Sequence, residues 1–501
     1  MKYCPHCNST KTRSKGTRIS ASGIKKHRFE CKECGRNFTI DGASKFDAHK
    51  ELANEIVVIT SAQNNCDVHR EFLDSLIAYC DRRSASLHII PVKYSFFDED
   101  TIEWRYPQEY TLDETVNVCD KLRVLANINI TPTIENPISG LDYLSKGDSL
   151  IIGHPQLQMK TLAVNSVESP AIITTTGSCT EPHYSQTKSG EKARFNHSYS
   201  AIVVECDDGC FHMRVLNADE SGGFYDVDGY QYLDKFTEID HIEAIVTGDE
   251  HAIFIDDGVL NATYRNNDSI VNMLKPKFIV RHDVLDCYSV SHHHRNNFFI
   301  RYGKFHSNQH MVEEELLATI EHILETTPEG SHNIIVSSNH ADHLERWLNE
   351  TDPKLEPWNA KIYHQLMYLV LARMHIKEGE FKYIQPFQAW VEQFDITNVS
   401  FTGRNESHKI FDIEISNHGD AGTNGSRGSL LQYSRLAFKN IIGHSHSPGI
   451  LKGAYQVGTS SKLKMEYTKG PSSWLHAHCI IYPNGKRQLI NIINGKWRKT
   501  T

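Results

Sequence analysis

Several short segments in the second half of the chain end in side chains that bind divalent metals. In chain order these side chains belong to Asp249, His251, Asp283, Asn339, His340, His418, His444 and His446. Carboxylate, imidazole and amide groups together suit transition-metal ions such as manganese, iron and zinc. One Asp-x-His pair is common by chance, but five segments that end in such residues indicate a shared metal site.

The segments that carry these side chains have the pattern of β-strands. They read IEAIVTGDEH, KFIVRHDVLD, NIIVSSNH, IFDIEISNHG and KNIIGHSH. Helical periodicity lies between several of them, at 312–324, 342–350, 361–375 and 429–438. Ligands of open α/β folds gather at the carboxyl ends of the strands. We therefore predict an α/β fold in which five strand ends meet at one cleft.

The order of these motifs resembles that of the calcineurin-like metallophosphoesterases, over residues 241–501. That family carries Asp-x-His, Gly-Asp-x-x-Asp, Gly-Asn-His-Asp/Glu, an isolated His and Gly-His-x-His. Asp249-Glu250-His251 and Gly443-His444-Ser445-His446 match in full. His282 replaces the glycine of the second motif, and the third keeps only its central Asn339-His340. The resemblance implies a four-layer α/β/β/α sandwich.

The resemblance also implies two divalent metals, with manganese the expected ion. The first metal would be held by Asp249, His251, Asp283 and His446. The second would be held by Asp283, Asn339, His418 and His444, so that Asp283 bridges the pair. A water activated by both metals would attack phosphorus as hydroxide. His340 would be the catalytic residue that meets the leaving oxygen and gives it a proton or a hydrogen bond.

Departures from the family pattern concern the surroundings of the ligands. The bulky His282 stands beside the bridging Asp283, so we expect a different local backbone. Ala341 occupies the position of the acid that orients the catalytic imidazole, and Asp342 or Asp286 are the candidates to replace it. The run His292, His293 and His294 follows the second motif, where nucleases of this family can contact substrate phosphate; the alternative is a polar surface loop.

The N-terminal residues 1–38 contain a different metal pattern. Two Cys-x-x-Cys motifs, formed by Cys4, Cys7, Cys31 and Cys34, are separated by 23 residues. This spacing is typical of a structural zinc held by four thiolates. The segment resembles a zinc ribbon of transposase-associated and transcription proteins. Its basic side chains, among them Lys25, Lys26 and Arg28, are candidates to contact nucleic acid; the alternative is a purely structural staple.

The region between the two metal patterns carries no recognisable site. Residues 39–54 resemble a linker, and residues 55–240 form an α/β region of unknown role. Strand, helix and strand patterns at 55–63, 67–83 and 87–94 predict a βαβ unit. The polar stretch 180–198 reads as an exposed loop. Near the end, 475–494 predicts two strands around a Pro-Asn-Gly turn.

Composition limits the class of protein. The 501 residues carry a net charge of −9, but residues 1–36 hold ten Lys/Arg against two Glu, so a polyanion partner is expected at this basic head. An apolar run of about 20 residues, as needed to span a bilayer, is absent from the sequence, and so is a signal-peptide core. The twelve mostly scattered cysteines fit a reducing compartment. We predict a cytoplasmic protein, in the host cytoplasm if phage-encoded, and leave homo-oligomerisation open.

The predicted function is metal-dependent hydrolysis of DNA, as in a deoxyribonuclease that resembles phage-encoded nucleases. A phosphatase or a small-molecule phosphodiesterase is an alternative, because the same fold hosts these activities. A zinc-ribbon DNA-binding protein whose second domain is not catalytic is another. The retention of every direct ligand type argues against the last of these.

Overall fold

The computed structural model describes residues 4, 6–7, 9–19, 25–41, 48, 50–94, 101–165, 170–207, 209–377, 380–465 and 469–499. Residues 42–47 and 49 of the predicted linker and the side chain of Lys25 lie outside this part. The chain divides into two units, Met1–Leu162 with Ala171–Phe211, and Ala163–Pro170 with His212–Thr501. In the part that is described, no helix combines the length and the apolar character needed to cross a bilayer.

The first unit is built mainly from strands. Its strands are β1 (Thr12–Ile19), β2 (Lys25–Cys31), β3 (Asn37–Asp41), β4 (Ile56–Gln63), β5 (Ser86–Val92), β6 (Thr115–Cys119), β7 (Leu122–Leu125), β8 (Ser149–Ile152), β9 (Gln158–Leu162), β10 (Ala171–Thr175) and β11 (Ser200–Asp207). Its helices are α1 (Arg70–Arg83), α2 (Asp142–Ser145) and α3 (Lys188–Asn196). The sheets have the strand orders β1-β2-β3, β11-β4-β5 and β9-β10-β8-β7-β6.

The βαβ unit predicted for the first unit is confirmed. β4 and β5 pair in parallel, and α1 connects them. The His69 side chain caps α1 by accepting a hydrogen bond from the backbone N–H of Phe72, and Ser84 ends the helix in a left-handed conformation. Phe72, Leu76 and Tyr79 are buried at helical spacing, so the helix is held by one apolar face.

The exposed loop predicted at 180–198 is wrong in its second half, where α3 forms. The Thr187 hydroxyl caps this helix by accepting a hydrogen bond from the backbone N–H of Gly190. Gly190 and Ala193 are buried, whereas Phe195 is exposed. The helix buries small residues rather than an apolar stripe, which is why periodicity did not reveal it.

The second unit begins within β12 (Cys210–Asn217). Its further strands are β13 (Phe224–Asp226), β14 (Gly229–Tyr232), β15 (Lys235–Glu238), β16 (Ala244–Val246), β17 (Phe278–Arg281), β18 (His332–Val336), β19 (His375–Lys377), β20 (Glu380–Lys382), β21 (Val399–Thr402), β22 (Lys409–Ile410), β23 (Ile413–Glu414), β24 (Lys439–Ile442), β25 (Gly449–Leu451), β26 (Ala454–Gln456), β27 (Ala477–Ile481) and β28 (Arg487–Asn491).

Eight α-helices are seen among the described residues of this unit. They are α4 (Asp257–Leu260), α5 (Ile270–Leu274), α6 (Phe298–His306), α7 (Val312–Glu325), α8 (Ala341–Glu350), α9 (Ala360–Arg373), α10 (Pro386–Val391) and α11 (Leu430–Tyr433). α7 illustrates what stabilises the longer helices. Three glutamates occupy its first turn, where the helix dipole favours negative charge. Val312, Leu316, Ile320 and Ile323 form its buried stripe.

The main sheet of the second unit has the order β21-β18-β17-β16-β27-β28. β16, β17, β18 and β21 are parallel to one another, and β27 runs antiparallel to β16. One hydrophobic cluster joins Ile335 of β18 to α7, α8, α9 and α10. Another joins Ile245 of β16 and Ile279 of β17 to α4 and α5. The helices therefore fix the strands whose ends carry the candidate ligands.

A further sheet of this unit contains β22-β23-β24-β26-β25. β23 and β24 are parallel, so their carboxyl ends also share an edge. The helix predicted at 429–438 is wrong in length, because α11 stops at Tyr433. The Asn440 side chain donates to the backbone carbonyl of Tyr433 over 3.2 Å, which stabilises the turn that follows.

The mixed α/β class is confirmed, and β27 and β28 form the antiparallel pair predicted near the end of the chain. The four-layer sandwich and the domain boundaries stay predictions. The parallel strands bring their carboxyl ends to one edge of the sheet, as the sequence predicts, since parallel neighbours end at the same edge.

A fully buried ion pair connects the loop after β16 to the end of β17. Arg281 donates to both carboxylate oxygens of Glu250, over 3.0 and 2.9 Å, and neither side chain is exposed. The Tyr264 hydroxyl also donates to Glu250, over 2.7 Å, and His322 Nε2 lies 2.9 Å from it. Arg281 in turn donates to Asn333 of β18 over 2.8 Å. The network links three adjacent strands below their ends.

We expect Arg281→Met to lower the free energy of unfolding by about 3–5 kcal/mol, because it leaves the Glu250 carboxylate buried without its cation. Urea denaturation of the full chain measures this change. The matched control is Arg265→Met, since Arg265 pairs with Glu325 at 3.2 Å with both side chains more than half exposed. The control should change the free energy by less than about 0.5 kcal/mol. Equal losses in the two variants would contradict a special role for the buried pair.

Candidate metal centre

The predicted ligands follow the carboxyl ends of five strands. Asp249 and His251 follow β16, Asp283 follows β17, and Asn339 follows β18. His418 follows β23, and His444 and His446 follow β24. Because β16, β17 and β18 are adjacent and parallel, their end loops lie side by side.

The four side chains assigned to the first metal lie together. His446 Nε2 is 3.1 Å from Asp249 Oδ2 and 3.2 Å from His251 Nε2. His251 Nε2 is 3.9 Å from Asp283 Oδ2. All four residues are buried. Four candidate ligand atoms from three strand ends therefore face one small volume.

The second predicted set extends from the same aspartate. His418 Nε2 is 3.0 Å from Asp283 Oδ2, and the rings of His418 and His444 lie 5.3 Å apart. Asn339 is half-buried, and its Oδ1 has no hydrogen-bond partner among the described residues. The Asp283 carboxylate stands between the two sets, as a bridging ligand would.

The charge of the pocket fits divalent cations. Asp249, Asp283 and Asp286 are buried together, and an ionised carboxylate is costly to bury without positive charge. Burial by itself raises the pKa of Asp283, but His418 and His340 draw it well below its usual range. Oδ1 of Asp249 and Oδ1 of Asp283 find no hydrogen-bond partner within the described chain. Buried carboxylate oxygens without hydrogen-bond donors are atoms that a metal ion can stabilise.

Asp286 fixes the orientation of His251. His251 Nδ1 lies 2.6 Å from Asp286 Oδ2, where the ring N–H donates to the carboxylate. That hydrogen bond leaves Nε2 as the nitrogen that faces Asp249, Asp283 and His446. Metal-binding histidines commonly donate their other ring N–H to a carboxylate, which sets the tautomer. Asp286 thus supports a ligand without being one.

Asp286 also lies beside His340, the predicted catalytic residue. His340 Nδ1 donates to the backbone carbonyl of Asp286 over 2.8 Å and lies 3.7 Å from its Oδ2. Asp342, the other candidate to orient this ring, instead pairs with Arg404 at 3.2 Å. The His340 side chain keeps 22% of its surface exposed, and its Nδ1 is engaged by the Asp286 carbonyl.

From the sequence, His282 is expected only to change the local backbone. In the structure it also contacts His418, a candidate ligand. His282 is fully buried, and its Nδ1 lies 3.3 Å from Nδ1 of His418. Because His418 turns Nε2 toward Asp283, its Nδ1–H can donate to His282. Burial and the neighbouring His418 lower the pKa of His282 to about 4, which keeps it a neutral acceptor. The replacement of a motif glycine by an imidazole was the available signal.

The backbone of the site is strained at the ligands. His251, Asp283, His444 and His446 have φ angles of 44°, 43°, 72° and 59°, in the left-handed region that side chains other than glycine disfavour. Residues with such φ angles cluster at functional sites, where the packing around them holds the strained conformation in place. A Cβ added at Gly443 would lie 2.2 Å from Asp249 Oδ1, so the motif glycine is required by this close approach.

The run His292–His294 forms a 3₁₀ turn beside the start of α8. The rings of His292 and His343 lie 4.6 Å apart, and the rings of His343 and His340 lie 5.2 Å apart. His294 packs against Tyr288 instead, with ring centroids 5.2 Å apart. Contact of this run with substrate stays a prediction.

The cysteines of the first unit form a separate cluster. The Sγ atoms of Cys4 and Cys34 lie 3.7 Å apart, and those of Cys7 and Cys31 lie 3.5 Å apart. Cys4 and Cys7 precede β1, Cys31 is the last residue of β2, and Cys34 follows it. The four sulfurs together can hold a zinc ion. Hydrogen bonds from the backbone of Cys34 are the main cause that lowers the pKa of Cys31 to about 6, which favours the thiolate.

Comparison with known proteins gives a phage relative. The chain is 31% identical over 458 residues to Protein A1 of Escherichia phage T5, and the alignment covers 88% of this chain and 82% of the relative. No protein-family model matches the chain, and no solved structure matches it. At this identity and coverage the relation extends over most of both chains, so the protein belongs to the family of Protein A1 of Escherichia phage T5.

Proposed function

We propose that the protein is a phage-encoded, metal-dependent phosphodiester hydrolase that cuts DNA. The observation that carries the proposal is the meeting of two ligand sets at the buried Asp283 carboxylate. The relation to a phage protein supports a phage origin. The order of the motifs supports a calcineurin-like metallophosphoesterase as the catalytic part.

Two bound divalent ions would supply an activated water and stabilise negative charge on the phosphoryl oxygens. Asp249, His251, Asp283 and His446 would hold one ion, and Asp283, Asn339, His418 and His444 would hold the other. The mixed nitrogen and oxygen donors favour manganese over metals that prefer soft ligands such as thiolates. The buried carboxylates of Asp249, Asp283 and Asp286 would add electrostatic attraction for divalent cations.

His340 is the proposed proton donor to the leaving oxygen. Its Nδ1–H is engaged by the Asp286 carbonyl, so Nε2 of this partly exposed side chain is the nitrogen that can meet substrate. His251 packs edge-on against the His340 ring with centroids 4.7 Å apart, which restricts the ring's rotation. Asp286 acts on both rings and is therefore a positioning residue rather than a catalytic one.

DNA is the proposed substrate because of the N-terminal sheet. In the ladder of β1 and β2, Arg18 lies directly opposite Lys26, and like charges in that position destabilise a strand pair. Such an arrangement is favourable when a polyanion is the partner. In the same N-terminal segment, Lys11 pairs with Glu33 at 2.8 Å and Lys15 pairs with Glu30 at 2.9 Å.

Two alternatives use the same residues differently. A phosphatase or small-molecule phosphodiesterase would need the metal centre but not the basic sheet. A non-catalytic DNA-binding protein would need the sheet but not the metals. DNA hydrolysis is the function that uses both, and the experiments below separate the three.

Purified protein should degrade linear or circular DNA with Mn²⁺ and stop when EDTA is added. His340→Ala should lower the rate by about 10²–10⁴-fold, the usual contribution of a general acid. The rate of loss of intact DNA on gels measures this. His241→Ala is the control, because His241 lies at the surface beside Asp240, and its rate should equal that of the wild type.

The same samples decide between the enzyme classes. Rapid hydrolysis of p-nitrophenyl phosphate with intact DNA would replace the nuclease proposal by a phosphatase. Hydrolysis of bis(p-nitrophenyl) phosphate with intact DNA would indicate a small-molecule phosphodiesterase. If DNA, p-nitrophenyl phosphate and bis(p-nitrophenyl) phosphate all stay unchanged at every metal concentration, the DNA-binding alternative is left.

The double variant Arg18→Gln/Arg28→Gln should weaken DNA binding uniformly across sequences. Removal of two phosphate contacts should reduce the slope of log affinity against log salt by about 1.8. Fluorescence anisotropy over a salt series measures the slope. Every protein in this series also carries Asp249→Asn/Asp283→Asn to prevent cutting, so that no chelator is needed that would remove the ribbon zinc. Lys11→Gln is the control, because its ammonium is already paired with Glu33. Identical slopes for both variants would exclude this face of the sheet as the DNA contact.

A further inference from the structure

Three histidines that neither predicted metal set uses lie together beside the catalytic region. They are His292, His293 and His343, the first two from the 3₁₀ turn and the third from α8. One ligand nitrogen of each lies within 4.8 Å of those of the other two. The ring centroids of His292 and His293 are 3.8 Å apart, and those of His293 and His343 are 5.6 Å apart.

Two of these rings have a nitrogen that lacks a hydrogen-bond partner among the described residues. Nδ1 of His292 and Nδ1 of His343 are buried and have no hydrogen-bond partner in the described part of the chain. His343 is only 5% exposed, so water has little access to its ring. A buried polar atom without a partner carries an energetic cost. A group that accepts both lone pairs would remove that cost.

We propose that His292, His293 and His343 form a third metal site, which binds one divalent transition-metal ion of the zinc type. Three neutral imidazoles are the donor set that suits zinc, copper, iron and nickel rather than magnesium or calcium. Three histidines with an open fourth position form a known type of zinc site. The proposal concerns these residues alone and does not depend on what the Asp283 centre does.

The geometry requires only small adjustments. Zinc–nitrogen bonds of about 2.0–2.1 Å in a tetrahedron place the nitrogens roughly 3.4 Å apart, so a closure of about 1 Å completes the site. His292 and His293 sit on a short turn, and His293 is exposed, so rotation of their rings meets little resistance. His343 is held by α8 and would be the fixed ligand.

The site has an entry path and room for a further ligand. His292 lines a cavity of about 760 Å³ together with Arg295, Arg301 and Tyr302. An ion bound at the edge of this cavity would complete its coordination with water or with a phosphate oxygen. Arg295 and Arg301 pair with Glu350 and Glu356, which line the same cavity, so its wall carries charges of both signs.

Metal counting tests the proposal without any activity assay. The full-length protein is loaded with Zn²⁺, passed through a desalting column, and analysed for zinc per chain by plasma mass spectrometry. His343→Gln and His293→Gln should each carry one equivalent less than the wild type. His306→Gln, an exposed histidine on α6, is the matched control and should keep the full count.

Two backgrounds isolate the third ion from the others. In Cys4→Ser/Cys31→Ser the ribbon zinc should be lost, and in Asp249→Asn/Asp283→Asn the predicted metal pair should be lost. The further loss of one equivalent on His293→Gln should appear unchanged in both backgrounds. Exposed His293 can be replaced without a packing defect, so the test holds even if His343→Gln does not fold. Equal zinc counts with and without His293 in all backgrounds would overturn the proposal.

Discussion

The buried contact between Glu250 and Arg281 is the constraint on which the metal centre depends. Glu250 stands between Asp249 and His251, and Arg281 directly precedes His282 and Asp283. Both ions are withdrawn from water, so each requires the other, and Tyr264 and Asn333 satisfy further atoms of the pair. A displacement of either strand end would separate buried charges. The pair therefore fixes the spacing of ligands that approach from different strands.

The strand ends next to this pair also bury charged side chains, but these charges are not fully paired within the described part of the chain. Asp249, Asp283 and Asp286 bring negative charge to the strand ends, and histidines compensate only part of it. Four ligand residues are held with positive φ, at roughly 1–3 kcal/mol each. A fold retains such strain where the neighbouring packing overdetermines it, and the helices on the six-stranded sheet provide that packing. The Glu250–Arg281 network is hydrogen-bonded within the chain, whereas the candidate metal centre keeps buried carboxylate oxygens without a partner among the described residues.

The sequence was most informative where one short-range rule decides the structure. Buried strands followed by Asp, Asn or His could be located, because parallel strands of an α/β sheet present their ends together. The sequence was least informative where a single side chain decides where a helix begins or ends. Examples are the Thr187 cap of α3 and the Asn440 contact that follows α11. The role of Asp286 at two rings and the approach of His343 to His292 depend on tertiary contacts between distant segments. The spacing of His340 and His343 did carry a signal, because residues i and i+3 share a helix face.

The donor chemistry of the clusters suggests how one chain would sort its metals. Thiolates are soft ligands, and the four-cysteine set prefers zinc strongly over manganese. The set around Asp283 includes carboxylate and amide oxygens, which tolerate harder ions such as manganese. Three imidazoles without a carboxylate lie between these limits. An ion bound at the histidine cluster would bring positive charge close to the ring of His340, since His343 packs against that ring. Occupancy of the histidine cluster would then act on the proposed catalytic ring through His343, so the two proposed sites are coupled by this ring contact.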